Sequence, residues 1–371
     1  MELDRYFKIY LKSKDGNTTY NVPDANGTMG IVENSMNLNE LICKDSFEIG
    51  NILANKFEVK IYGLTEDVSD FWIRLANVAG SGPTAHEETW FTGVVDSSKT
   101  DNKNLDRNIV AYDYSYYIRD LDVTTWWTNF WTNHQSGATL KTLREDLCTY
   151  AGFIIAPNTP TLVNDTASFG STYVVPTADS WIFKDVLRMI CEMQGCCPNV
   201  NRAGHIEFIP LTNITQGNAT DVSDTYARND TVFEDYTLDI NGIKVLDDSS
   251  NAVVIIRPVS GTTCSYLIKN NLFLLAQTVA RAQSLVRSVL TTYLQNVTYV
   301  PTELHMIISD YDIKLGNLLT VQAPMRTGTN TYHLVLNQTF SGPQLVDQTI
   351  ESITTGDNLK YDVVILTPVF S

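Results

Sequence analysis

Phe91-Thr92-Gly93-Val94-Val95 and Ile109-Val110-Ala111-Tyr112-Asp113 bracket a polar stretch built from Ser97, Ser98, Asp101, Asn102, Lys103 and Asn104. Two apolar runs on either side of a polar turn predict a β-hairpin. The same habit extends towards the N-terminus. In Lys56-Phe57-Glu58-Val59-Lys60-Ile61-Tyr62 the apolar side chains alternate with three charges, which predicts a strand with one wet face. Arg5 to Leu11 and Asn37 to Cys43 read the same way, with a turn at Asp15-Gly16-Asn17. Short strands separated by polar turns point to a barrel or sandwich.

The pattern changes near residue 120. Trp126, Trp127, Phe130 and Trp131 cluster, and three helical segments follow. Thr139 to Tyr150 aligns Leu140, Leu143 and Leu147, with Gly152 as a stop. Asp179 to Gln194 aligns Phe183, Val186, Leu187, Ile190 and Met193, and Gly195 ends it. Leu272 to Leu294 carries a stripe through Leu272, Leu275, Val279, Val286 and Tyr293. Strands are expected at Gly204–Pro210, at Ala252–Arg257 as a buried run, and at Glu303–Ile308, Leu318–Gln322, His333–Gln338, Thr349–Thr354 and Tyr361–Thr367. Asp221 to Asp235 reads as an acidic loop. The fold class is therefore α+β, mostly β.

The 371 residues, 43% apolar, supply material for two or three domains. A net charge of −16 argues against sequence-specific nucleic-acid binding and against anionic membranes. Met1-Glu2-Leu3-Asp4-Arg5 has none of the basic and apolar regions of a signal peptide, and no run of about 18 apolar residues predicts a membrane span. Without a signal peptide, the Asn-x-Thr sequons at Asn17, Asn213, Asn218 and Asn296 read as chance matches.

Catalytic motifs are missing. No Gly-x-x-x-x-Gly-Lys-Ser/Thr cradle and no Gly-x-Ser-x-Gly elbow occur. His86-Glu87-Glu88 starts a zinc-peptidase motif, but Trp90 stands where the second ligand belongs. Cys191, Cys196 and Cys197, with His205 nearby, form the one metal candidate. No second Cys/His pair completes it, and small buried residues at a helix end are the plainer reading. Asp310 with Asp312 and Asp247 with Asp248 read as solvated turns rather than Ca²⁺ sites. Among 42 Asp and Glu residues, a pair at glycosidase spacing arises by chance. The five histidines are scattered. No catalytic, cofactor-binding or metal residue is assigned, and no cofactor. The Trp126–Trp131 cluster suits either glycan stacking or, more simply, anchoring of the central segment to the first barrel.

Several motifs, in order, resemble one family. Glu40-Leu41-Ile42-Cys43-Lys44-Asp45-Ser46-Phe47-Glu48-Ile49-Gly50 resembles its opening, which ends in F-x-I-G. Phe57-Glu58-Val59, Phe91-Thr92-Gly93-Val94-Val95 and Ala111-Tyr112-Asp113 follow. Trp181 to Gly195, then Asn201-Arg202-Ala203-Gly204-His205-Ile206, is similar to its helix, glycine and N-R-x-G strand unit. Lys269-Asn270-Asn271-Leu272-Phe273, Tyr299-Val300-Pro301 and Leu315-Gly316-Asn317 complete the series, with Gly-Asn where the family usually has Gly-Asp. The family is the N-terminal hub module of tail-tip proteins in long-tailed phages and prophages of Gram-positive bacteria, and more distantly the baseplate hub of contractile tails.

The resemblance implies two tube-like β-barrels: 1–117 as the first, 118–212 as an α/β segment, and 213–371 as a second barrel region with a helix at 272–294 inserted. It implies a non-enzymatic homotrimer at the tail tip or baseplate of a virion, made in the host bacterial cytoplasm. Its partners would be itself, the tail tube protein, the distal tail protein, the tape measure protein and a tail fibre or spike. The hub would close or extend the tube and guide DNA and tape-measure passage. Family members often carry a C-terminal lysin or fibre domain; with the sequence running to Ser371, no such activity is expected of it. Two alternatives are a carbohydrate-binding or cell-wall-degrading tail protein and the hub of a contractile bacteriocin or injection system.

Overall fold

The structure is a computed structural model that describes residues 5–43, 48–80, 85–101, 106–211, 220–222, 227–232, 238–240, 242–256, 266–294, 297–306, 312–322 and 330–355. The architecture is α+β and mostly β.

The first region holds β1 (Arg5–Lys12), β2 (Thr19–Val22), β3 (Gly30–Ile31), β4 (Asn37–Leu41), β5 (Lys56–Tyr62), β6 (Trp72–Ala79), β7 (His86–Thr100) and β8 (Arg107–Tyr112). They run in the order β4-β5-β8-β7-β6-β1-β2, with β3 added on β5, and their pairings are antiparallel. The expected hairpin is β7–β8, with Val94 opposite Tyr112 and Thr100 opposite Arg107. Gly93 is required there: a Cβ would lie 2.2 Å from the Tyr112 carbonyl oxygen. Alternation does the rest. Phe57, Val59 and Ile61 point in, and they join Ile9, Leu38, Leu75, Phe91 and Ala111 in one core. One sheet packing one face around one core is a rolled sheet.

The central segment contains α1 (Ser115–Ile118), α2 (Thr124–Asn133), β9 (Ala138–Thr139), α3 (Leu140–Tyr150), β10 (Ser168–Phe169), α4 (Phe183–Gln194), β11 (Cys196–Val200) and β12 (Ile206–Pro210). Thr139 caps α3 by accepting a hydrogen bond from the Thr142 N–H. Helix α4 ends at Gly195 in the left-handed region. The tryptophan cluster lies on α2. Trp127 stacks on Trp181 at 4.2 Å and meets Phe273 of the last third edge-on, inside the core that the segment shares with that region. It does not anchor the segment to the first sheet.

The last third adds β13 (Thr220–Val222), β14 (Ala227–Val232), β15 (Leu238–Ile240), β16 (Ile243–Leu246), β17 (Ala252–Ile256), β18 (Tyr266–Lys269), α5 (Leu272–Leu275), α6 (Val279–Val289), a π-helical turn at Leu290–Leu294, β19 (Val297–Met306), β20 (Leu318–Gln322), β21 (Asn330–Ser341) and β22 (Asp347–Thr355). Strands β13 and β14 occupy part of the stretch expected to be an acidic loop. The run at β17 is an edge strand rather than a buried one: Val253 is exposed, because β17 pairs only with β16 in a three-stranded sheet. The expected single helix over 272–294 is broken at 276–278. There the Gln277 side chain accepts from the Val174 N–H and donates to the Val174 carbonyl, and Thr278 is extended. The expected strand at Tyr361–Thr367 lies outside the described residues.

The second sheet runs β14-β19-β22-β21, continues through β20 to β13, and joins the first. The join is β21. Asn330 to Leu334 pairs with β20, whereas Asn337 to Phe340 pairs with β4. A register shift between Val335 and Asn337 marks the change of partner. Phe340 and Leu345, at the far end of the β21–β22 hairpin, are fully buried in the core of the first sheet.

Candidate functional site

The two sheets and the central segment meet at a buried polar junction, and Glu40, Asp113 and Arg202 of the family-like motifs sit in it. The Asn201–Gly204 turn links β11 to β12. The Asn201 side chain accepts from the Ala203 and His205 N–H groups, both at 3.1 Å, and this fixes the turn. Arg202 is thereby aimed at Glu40 of β4. Its Nε and Nη2 donate to Glu40 Oε1 and Oε2 at 2.7 and 3.1 Å, a two-pronged ion pair. The guanidinium lies 4.5 Å from the Trp90 ring centre and 5.4 Å from that of Phe340. Gln338 of β21 also donates to Glu40, and Gln348 of β22 donates to Gln338 at 3.0 Å. One carboxylate is thus held by residues from the central segment and the second sheet.

A second knot is the Asp113 of Ala-Tyr-Asp. Its carboxylate accepts from the N–H groups of Asn55 and Ser115 at 2.7 and 2.9 Å, and from the Ser115 hydroxyl at 2.5 Å. Burial pushes its carboxyl up to about 7, although those three hydrogen bonds pull the other way. The Asn55 side chain accepts from the Leu41 N–H and donates to the Val200 carbonyl at 2.7 Å, so β4 is tied to β11. Asn337 completes the network. Its Oδ1 accepts from the N–H groups of Ile42 and Cys43 at 3.0 and 3.1 Å, and its amide donates to Glu351. Gly50, the last residue of the F-x-I-G stretch, has φ +89°, and a Cβ there would come within 2.6 Å of the Arg188 carbonyl.

The residues weighed for chemistry lie elsewhere and apart. His86 and Asp312 are exposed, and Asp310 lies outside the described residues. Asp247 accepts from the Asn251 N–H and side-chain amide, closing a turn. His134 stacks on Phe130, and His305 pairs with Glu303 at 2.5 Å. His333 is buried in the second sheet beside the Thr302 and Ser352 hydroxyls, at 2.9 and 3.2 Å. Cys191, Cys196 and Cys197 are buried at the end of α4 and along β11. Burial pushes the Cys196 thiol well up, and the hydrogen bond that Cys197 donates to Cys43, together with burial, does the same to Cys197. Among the described residues no group of three or more His, Cys, Asp or Glu is arranged to hold a metal ion. The tryptophans that suggested glycan stacking have their faces buried, Trp126 and Trp127 above all. Among the described residues no helix is long and apolar enough to cross a membrane.

Two mostly antiparallel sheets fused by a shared strand, with an α/β layer pinned at their seam, form the fold of a group of phage tail proteins. The chain is similar to the 43 kDa tail protein of prophage MuSo2 from Shewanella oneidensis over 96% of its own length and 99% of the other's, with TM-score 0.55 and 12% identity. It is similar to the tail protein from Neisseria meningitidis MC58 over 95% and 96%, with TM-score 0.53 and 10% identity. Prophage tail protein gp18 from Listeria monocytogenes EGD-e matches over 95% of both chains, with TM-score 0.51 and 12% identity. At such identities the likeness is one of fold, and it agrees with the resemblance drawn from the motifs. No family model and no curated protein matches the sequence.

Proposed function

We propose that this chain is a structural tail protein: a homotrimeric hub that closes or extends the tail tube at its tip and lets DNA and the tape measure protein pass. The observation that carries this reading is the whole-length match to three tail proteins in the absence of an assembled catalytic constellation among the described residues. The fused construction supports it. An adaptor that transmits load between rings has to hold its parts in one geometry, and buried ion pairs and hydrogen bonds across a seam do that. The acidic charge suits a channel through which a polyanion slides without sticking. Three chains with two sheet regions each would present six similar units to a hexameric tube. On this reading its partners are the tail tube, distal tail and tape measure proteins, and its place is the tip of the virion tail.

Size-exclusion chromatography with light scattering tests the reading. A species of three times the chain mass supports it. A stable monomer that cleaves peptidoglycan or binds glycans would replace it with a cell-wall-directed tail protein.

A further inference from the structure

Two cysteines from distant parts of the chain meet at the seam. Cys43 follows β4 of the first region, and Cys197 lies on β11 of the central segment. The Glu48 carbonyl oxygen is 3.8 Å from Cys43 Sγ and 3.7 Å from Cys197 Sγ, so both thiols converge on one atom. The Cys197 thiol donates to the Cys43 sulfur, and the Gly50 N–H bonds to Cys197. The backbone behind each is held. Asn337 Oδ1 accepts from the Cys43 N–H at 3.1 Å, and Cys197 stands opposite Ile209 in the β11–β12 pair. Both are free thiols. Space filling alone does not account for two thiols bonded to each other across a seam.

A second thiol pair offers a contrast. Cys196 donates to Cys191, its near neighbour in sequence, and both are fully buried. Among the described cysteines Cys43 keeps the most surface, at 4%. The hydrogen bond from Cys197 holds the Cys43 thiol below its ordinary value in spite of burial. Cys148, Cys196 and Cys197 are all pushed up instead. The thiolate is the reactive form, so chemistry at these cysteines begins at Cys43.

We propose that Cys43 and Cys197 form an oxidisable dithiol site, which a hydroperoxide converts to a disulfide that bonds the first region to the central segment. With hydrogen peroxide as the oxidant, the Cys43 thiolate attacks the O–O bond, becomes a sulfenic acid and releases hydroxide. Cys197 then loses its proton and attacks the Cys43 sulfur, forming the S–S bond and expelling a second hydroxide. In total two thiols and one peroxide give one disulfide and two waters. The peroxide is little larger than water, so it reaches a nearly closed sulfur that bulky oxidants do not. The bond adds a covalent tie beside the hydrogen bonds of Asn55 and Asn337. A chain folded in a reducing compartment acquires it on release into an oxidising one. The inference does not depend on the tail reading or on trimer formation.

The test treats the folded full-length chain with hydrogen peroxide, blocks the remaining thiols with N-ethylmaleimide and maps the peptides by mass spectrometry. The Cys43–Cys197 cross-link should exceed any other by about tenfold. The oxidised chain should unfold at a higher denaturant midpoint than the reduced chain, and Cys43→Ser should abolish that difference. Cys197→Ser removes the second step, so Cys43 should stop at the sulfenic acid and take up dimedone, which a purely structural thiol does not. The wild-type map stands even if a variant fails to fold. Cross-links at Cys191 or Cys264 in place of Cys43, a Cys43–Cys197 bond that forms only in denaturant, or no dimedone uptake by a folded Cys197→Ser chain would overturn the proposal.

Discussion

The two sheets bury their inner faces in different ways. The first encloses alternating Ile, Leu, Val and Phe side chains, with Ile9, Leu38, Phe57, Ile61 and Leu75 fully or almost fully buried. The second carries polar groups inward: Thr302, His333, Gln338, Gln348, Ser352 and Thr354 are all 2% exposed or less. Its apolar residues belong to the same core as the helices of the central segment. The first sheet is thus organised mainly by burial, which is tolerant of detail, and the second by hydrogen bonds, which are not. Traffic between them runs both ways: Phe340 and Leu345 leave the second region to fill the core of the first, and Ile42, Ile49 and Ile52 leave the first for the core shared by the second sheet and the central segment.

The largest expected effects break that traffic. Phe340→Ala removes a fully buried ring that packs on Trp90 at 5.1 Å, and should cost about 3–5 kcal/mol in denaturant unfolding. If the first sheet were self-sufficient, the loss would be small. Arg202→Ala leaves the Glu40 carboxylate buried with its ion pair gone, and should cost about 3–5 kcal/mol. Arg202→Lys, which cannot make the two-pronged contact, should recover only part of this. Thr302→Val, an apolar change inside the polar sheet, should cost about 1–3 kcal/mol, because His333 and the Ser352 hydroxyl each lose a partner. A neutral result would erase the contrast between the sheets.

The smallest effect is a pH dependence. The Asp113 carboxyl sits at about 7, above its ordinary 3.8, so the folded state holds a proton that the unfolded state releases. Its contribution is fully present below 3.8 and is lost as pH rises through 7. Going from pH 8 to pH 6 should add about 1.4 kcal/mol from this group. Buried Glu192, also raised to about 7 chiefly by burial, acts in the same direction. Asp113→Asn should flatten roughly half of this slope, and an unchanged slope would show that Asp113 stays ionised throughout.

The first sheet was legible because its strands alternate cleanly: Phe57, Val59 and Ile61 against Lys56, Glu58 and Lys60 is a pattern that only a half-buried strand explains. Strand β21 was legible only at its centre. Its ends, Asn330 to Tyr332 and Thr339 to Ser341, are set by pairing with β20, β4 and β22. The helix over 272–294 was drawn unbroken because its apolar stripe continues through the break, which is set by a contact from Gln277 to Val174. The tryptophans were recognised as a cluster but placed against the wrong neighbour, since nothing local says which surface a buried ring meets. The junction was the least visible part. Glu40 and Arg202 are 162 residues apart, and each alone reads as an exposed charge. The only trace was the order of the motifs, in which Arg202 meets Glu40, Asp113 holds Asn55 and Gly50 lies against Arg188.

A cryo-electron reconstruction of the purified full-length chain tests the central claim most directly. The account predicts three copies around a hollow axis, each contributing both sheets to the ring. Isolated monomers, or a twofold dimer with no central opening, would contradict it.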